Sequence, residues 1–420
     1  MSDRESADLL IEPRWLLPMT ATHGALAGQA VAVGAGRILA VGPAAELRAR
    51  FEARATLARP RHALLPGLVN AATYASRALL RGLPQERAVE AGADLVRDGT
   101  RLAMAEMLRA GITCFADLSE HPEEAARAAA AAQVRAAIGL PVSEHGSAWA
   151  ENATAYFARA EQLWDEYRTD SRISLYFAPL AAHALTDATL GRIRRVADEL
   201  DARIALDLCA AADAHGAGPA VAADAEFLAR LAGLGLLRPG FTAIGLGARH
   251  AGAVEILARH GAAAVACPRT ELRAGRLPYL APLPGTRTGF GTGSPVRTGV
   301  PDLLAEARLA ALAGALTAAD ALRMATLGGA TALGLQAITG SIEPGKAADL
   351  ACIDLGTLEC RTAPGIEAAV LEAATRSQVS DVWTGGRCAV SEGRLLAFDE
   401  EEIAALPARW MQRLKLEAAA

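Results

Sequence analysis

Between residues 63 and 291, short apolar runs alternate with amphipathic, alanine-rich stretches, and this alternation restricts the possible folds more than any other feature of the chain. Eight runs read as buried strands: Ala63–Val69, Thr113–Asp117, Ala136–Val142, Ile173–Ala178, Arg203–Cys209, Thr242–Leu246, Ala263–Cys267 and Thr288–Gly291. Between them, segments such as Asp98–Ala110, Ala188–Leu200 and Val221–Leu234 carry helical periodicity. Strands that alternate with crossover helices form a parallel sheet, so the chain reads as α/β, and eight such units predict a (β/α)8 TIM-type barrel. An open doubly wound sheet is the rival, but no G-x-G-x-x-G follows the first strand.

The two ends read differently. Ala30–Val33 and Arg37–Val41 flank Gly34-Ala35-Gly36, and Trp383–Val390 turns around Gly385-Gly386, giving one hairpin at each end. Ala44–Phe51 reads as a short helix and Leu350–Leu355 as an apolar strand. The expected organisation is a small β-sandwich built jointly from residues 1–62 and 337–405, a barrel over 63–336, and a C-terminal helix or tail at 406–420.

Composition excludes several functions. The formal net charge of -5 gives no basic footprint for nucleic acid. No apolar run approaches the roughly 20 residues a bilayer requires, and the acidic start lacks a signal-peptide pattern, so the expectation is a cytoplasmic protein with no membrane partner. Six cysteines, at 114, 209, 267, 352, 360 and 388, include no C-x-x-C pair and suit reduced, buried thiols.

Several stretches carry a family resemblance. They are Leu64–Asn70 (LLPGLVN), Ala105–Asp117 (AEMLRAGITCFAD), Phe177-Ala178-Pro179, Cys267-Pro268, Ala321–Ala330 (ALRMATLGGA) and Gly340–Leu350 (GSIEPGKAADL). Over nearly the whole chain these resemble the amidohydrolase superfamily, in its branch of methylthioadenosine/S-adenosylhomocysteine deaminases and triazine chlorohydrolases. The resemblance implies hydrolysis at carbon–nitrogen bonds of nucleoside or triazine-like heterocycles. It also implies a divalent metal, held by two histidines of an N-A-H-x-H run on the first strand, a histidine on the fifth and an aspartate on the eighth. A histidine on the sixth binds the metal or orients the attacking water. Such a metal lowers the pKa of bound water from about 15.7 toward about 7 and so supplies hydroxide at neutral pH.

Every one of those positions departs from the pattern. Ala72 and Tyr74 stand where the first two histidines belong, Asp207 at the third, Gly245 at the sixth-strand histidine and Gly293 at the aspartate. Ala210 replaces the acid/base glutamate, Leu180 a substrate-binding histidine, and a short link through Leu83–Arg87 replaces the usual lid. A lone carboxylate falls short of the three or four ligands that hold a catalytic metal. The expectation is therefore a pseudoenzyme without metal or cofactor, kept for binding or assembly. A nucleoside or similar heterocycle in the barrel mouth is one expected partner. Self-association, or assembly with an active paralogue, is the other.

Six residues remain as pocket candidates: Tyr74, Glu144, His145, His183, Asp207 and Cys209. The histidines and Glu144 read either as a new acid/base or metal set around Asp207, or as surface loop residues. Cys209 and Cys267 read as reactive thiols or small buried hydrophobes. Tyr74 either bonds a ligand or fills the volume a metal would occupy.

Overall fold

The computed structural model describes residues 4–20, 24–83, 92–208, 225–246, 251–276, 278, 280, 283, 287–314 and 316–414. Five strands come first: β1 (Glu5–Leu16), β2 (Leu26–Ala27), β3 (Gln29–Gly34), β4 (Arg37–Pro43) and β5 (Phe51–Pro66), with helix α1 (Ala44–Arg50) before the last. Four more close the chain: β14 (Leu350–Asp354), β15 (Val379–Thr384), β16 (Arg387–Ser391) and β17 (Arg394–Leu395). They join in one hydrogen-bonded path, β17-β16-β15-β14-β5-β1-β3-β4, with β2 paired to β1. The long β5 joins the two halves, lying parallel to β1 and antiparallel to β14. Its register with β14 holds through Pro66, so the terminal sheet extends past the expected seam at residue 62 and the first barrel strand begins only after Gly67.

The middle of the chain forms the second sheet. Its strands are β6 (Leu68–Thr73), β7 (Ile112–Asp117), β8 (Arg135–Leu140), β9 (Ile173–Phe177), β10 (Arg203–Asp207), β11 (Phe241–Ile244), β12 (Ala263–Ala266) and β13 (Thr288–Phe290). They pair in parallel in sequence order. Residues just beyond the outer strands close the barrel: Gly293 donates its N–H to the Ala72 carbonyl at 3.0 Å, and Tyr74 N–H reaches the Gly293 carbonyl at 3.3 Å. Asn70 reinforces the joint, giving a side-chain hydrogen bond to Thr292 Oγ1 at 2.8 Å and accepting one from Thr292 N–H at 2.9 Å.

Helices α2 (Ala93–Leu108), α3 (Pro122–Ala132), α4 (Ala153–Tyr167), α5 (Asp187–Glu199), α6 (Ala225–Gly233) and α7 (Ala251–Arg259) connect the strands. Each turns its apolar stripe to the sheet, and the resulting core unites these helices with the outer faces of the barrel strands. The barrel interior is lined by small side chains, among them Ala71, Ala116, Ala137 and Ala205, with Tyr176 filling the centre. A short helix, Gly329–Leu333, plugs the end away from the mouth, where the Ala332 carbonyl accepts from Thr242 Oγ1 at 2.8 Å and Arg203 at 3.0 Å. A C-terminal helix, Glu400–Arg413, packs on α2; it starts before the expected residue 406 and holds Trp410 against buried Asp98 at 3.0 Å.

Candidate functional site at the barrel mouth

In a parallel barrel the strand C-termini converge on one face, and the loops after them form the mouth. Tyr74, Asp117, Asp207, Gly245 and Gly293 all lie at that face, each ending or following a barrel strand. The geometry there joins two residues separated by 133 positions: the Tyr74 hydroxyl donates to Asp207 Oδ2 at 2.8 Å. Burial first, and then the charge of Asp207, push the Tyr74 phenol well above its ordinary range, so it stays a neutral donor. The Arg77 guanidinium lies 5.6 Å from the Tyr74 ring.

The other positions offer no donor. Ala72 is fully buried in the barrel interior. Gly245 has φ +74° and donates its N–H to the Val265 carbonyl at 2.8 Å. Gly293 has φ +60°, in the left-handed region, and a Cβ at this position would collide with Thr270 Oγ1. That Thr270 oxygen is buried and has no hydrogen-bond partner among the described residues. An aspartate therefore does not fit at residue 293 unless both backbone and neighbour shift. Among the described residues, no three His, Cys, Asp or Glu side chains gather where they could hold a metal ion. One tyrosine, one carboxylate and three apolar or absent side chains do not fit the family's metal.

Among the described residues, the other candidates are held elsewhere. Glu144 lies at the surface, where its carboxylate accepts from Thr186 N–H at 2.8 Å and Thr186 Oγ1 at 2.7 Å at the start of α5. Those hydrogen bonds hold it below the usual carboxylate range. His145 is exposed and gives its backbone N–H to Ser143 Oγ. His183 sits half-exposed in a short turn after β9. Cys209 and Ala210 lie outside the described residues, as do His23, His215 and His250. Cys267 is buried at the start of the turn leading to helix α8 (Pro268–Arg273).

Two acids at the mouth were not among the candidates. Asp117, the last residue of β7, is buried; Oδ1 accepts from Ala75 N–H at 2.8 Å and Ser119 Oγ at 3.0 Å, while Oδ2 has no partner among the described residues. Burial outweighs these donors and pushes it up to about 6. Glu271 on α8 is fully buried, accepts from Cys267 N–H at 3.0 Å and leaves Oε2 without a partner among the described residues. Burial raises it to about 7, with the charge of Asp207 contributing in the same direction. Asp117 ends a strand at the mouth and Glu271 lies five residues beyond the next-to-last strand, and that placement was the available signal.

Residues 63–389 match the amidohydrolase family, and residues 30–51 match an imidazolonepropionase-like composite domain of bacteria. A 5-methylthioadenosine/S-adenosylhomocysteine deaminase of Teredinibacter turnerae is 32% identical, with 99% of each chain covered. One from Saccharophagus degradans is 30% identical over 100% of this chain and 99% of its own. Among solved structures, an adenosine deaminase from Xanthomonas campestris with bound zinc superposes with a TM-score of 0.89 at 34% identity, covering 98% of this chain and all of the other. The atrazine chlorohydrolase of Arthrobacter aurescens, in complex with zinc, gives a TM-score of 0.80 at 21% identity, covering 96% and 99%, a likeness of fold.

Proposed function

The chain belongs to the amidohydrolase family, in the branch of the methylthioadenosine/S-adenosylhomocysteine deaminases, and from that premise we propose that it is a pseudoenzyme: a barrel of this family kept for binding or assembly after losing its hydrolytic centre. The observation that supports this reading is the Tyr74–Asp207 hydrogen bond. Two positions at which the family holds metal are hydrogen-bonded to each other, and at a third, Gly293, a side chain would collide with Thr270. Without a metal, no hydroxide forms at neutral pH by the route the family uses. The kinship with deaminases of adenosine-type substrates supports a nucleoside-like heterocycle as the ligand of the mouth.

Metal analysis of protein purified without chelator tests the proposal. The expected content is below about a tenth of an equivalent of zinc, iron, nickel or manganese, because the ligand set is incomplete. A content near one equivalent, together with zinc-stimulated release of ammonia from adenosine or 5-methylthioadenosine, overturns it.

One observation favours a second reading, a metal-independent acid–base enzyme. Glu271 is buried, within the electrostatic reach of Asp207, and titrates near 7, where proton transfer is most effective. Turnover that persists in chelator and disappears in Asp207→Ala establishes this reading over the first.

A further inference from the structure

At the opposite end of the barrel, the terminal sheet meets the N-terminal ends of the strands and leaves a pocket of about 360 Å³. That volume lies within the range of small-molecule sites, roughly 300–1,000 Å³. Arg37, Arg135 and Arg172 line it, on three separate elements: the start of β4, the start of β8 and the residue before β9.

Two carboxylates lie nearby, fewer than the guanidinium groups. Asp349 pairs with Arg135 at 2.8 Å, both of them buried. Asp170 turns Oδ1 to the backbone N–H groups of Arg172 and Ile173, at 2.7 and 3.1 Å. Arg37 and Arg172 have only a backbone carbonyl each, Gly345 at 2.8 Å and Gln133 at 2.6 Å, and neither forms an ion pair among the described residues. A fourth guanidinium, that of Arg387, reaches the Gln133 side chain at 3.1 Å. On a chain of net charge -5, a set of guanidinium groups with too few carboxylates is a local reversal of sign. Crowded like charges raise the free energy of the empty pocket, and an anion relieves it. Guanidinium groups bind phosphate and carboxylate through paired N–H donors, a match that an ammonium lacks. Ile173, Leu335 and Ile338 supply an apolar wall beside these donors.

We propose that this seam pocket binds a small organic phosphate ester, its dianionic head between Arg37 and Arg172 and its apolar part against Ile173, Leu335 and Ile338. The site is separate from the mouth and stands whether or not the pseudoenzyme reading holds.

Calorimetric titration with phenyl phosphate at constant ionic strength tests it, with inorganic phosphate and benzoate as comparison ligands. The wild-type chain is expected to bind one phenyl phosphate saturably, more tightly than either comparison ligand. The Arg37→Ala/Arg172→Ala variant is expected to bind at least tenfold more weakly, about 1.4 kcal/mol. Both side chains lie at the surface of the pocket, and buried Arg135 is left in place to preserve its pair with Asp349. Arg195→Ala, an exposed position on α5, controls for surface charge and should leave affinity unchanged. The absence of saturable binding overturns the proposal, as does an equal loss in Arg195→Ala. Full affinity in the double variant places the ligand elsewhere and overturns it too. Preference for benzoate would assign the pocket to carboxylates and reject the phosphate ester.

Discussion

If Tyr74 and Asp207 occupy each other's bonding capacity in place of a metal, their coupling is measurable. The 2.8 Å hydrogen bond joins a neutral phenol to a carboxylate at a half-buried site. Hydrogen bonds to charged groups contribute about 1.5–3 kcal/mol, and partial exposure places this one toward the lower figure. A double-mutant cycle of wild type, Tyr74→Phe, Asp207→Asn and the double variant, read by urea unfolding at pH 7, should return a coupling energy of about 1.5 kcal/mol. Phe keeps the volume and removes the donor, while Asn keeps the shape and removes the acceptor's charge, so the cycle isolates the charge-assisted part of the bond with little change in packing. The same value should be obtained in chelator and in added zinc, since neither partner is then shared with an ion. Coupling below about 0.5 kcal/mol, the scatter of independent sites, would refute the pairing. Coupling that vanishes in zinc would show Asp207 turning to a metal and refute the dismantled centre.

Glu271 gives a pH-dependent prediction. Its unfolded value is 4.5 and its folded value about 7, so folding takes up a proton between them; stability falls as pH rises through that window and stays low above it. At 1.36 kcal/mol per pH unit, Glu271→Gln should raise stability at pH 8 by up to roughly 3 kcal/mol and flatten this slope, and denaturation midpoints from pH 4.5 to 8 check both. Gly293→Ala should cost about 2 kcal/mol or more, from its left-handed backbone and the contact with Thr270; the same change in a Thr270→Ala background should cost distinctly less, and equal costs would discard the steric explanation. Asp98→Ala removes the acceptor for Trp410 and Arg409, so limited proteolysis should release the C-terminal helix while barrel cores remain intact.

The barrel was readable because its strands are short apolar runs set off by helices, and each of the eight expected strands overlaps an observed one. Edges shifted where a backbone run serves two sheets: Ala63–Val69 looks like one strand, yet Pro66 still pairs with Leu350 while Leu68 already pairs with Ile112. At the mouth, the altered residues at 72, 74, 207, 245 and 293 stood out against the family pattern, but their relations did not. Tyr74 and Asp207 approach only because β6 and β10 end on the same face, and Thr270 lies against Gly293 only through helix α8 after β12. Asp117 and Glu271 carried no spacing signal of their own. Their buried, half-satisfied carboxyls follow from how loops fold over the mouth, which periodicity does not encode.

The collision between position 293 and Thr270 also bears on history. Restoring an aspartate there is a single change on paper, yet the left-handed backbone penalises it, and the neighbouring hydroxyl already occupies its first carbon's place. A histidine at 207 would likewise replace the carboxylate that Tyr74 now bonds. On the pseudoenzyme reading, each reversal taken alone meets a cost that others must first remove, which is the pattern of sign epistasis. A lineage that crossed this point would find drift toward other uses of the barrel far easier than return.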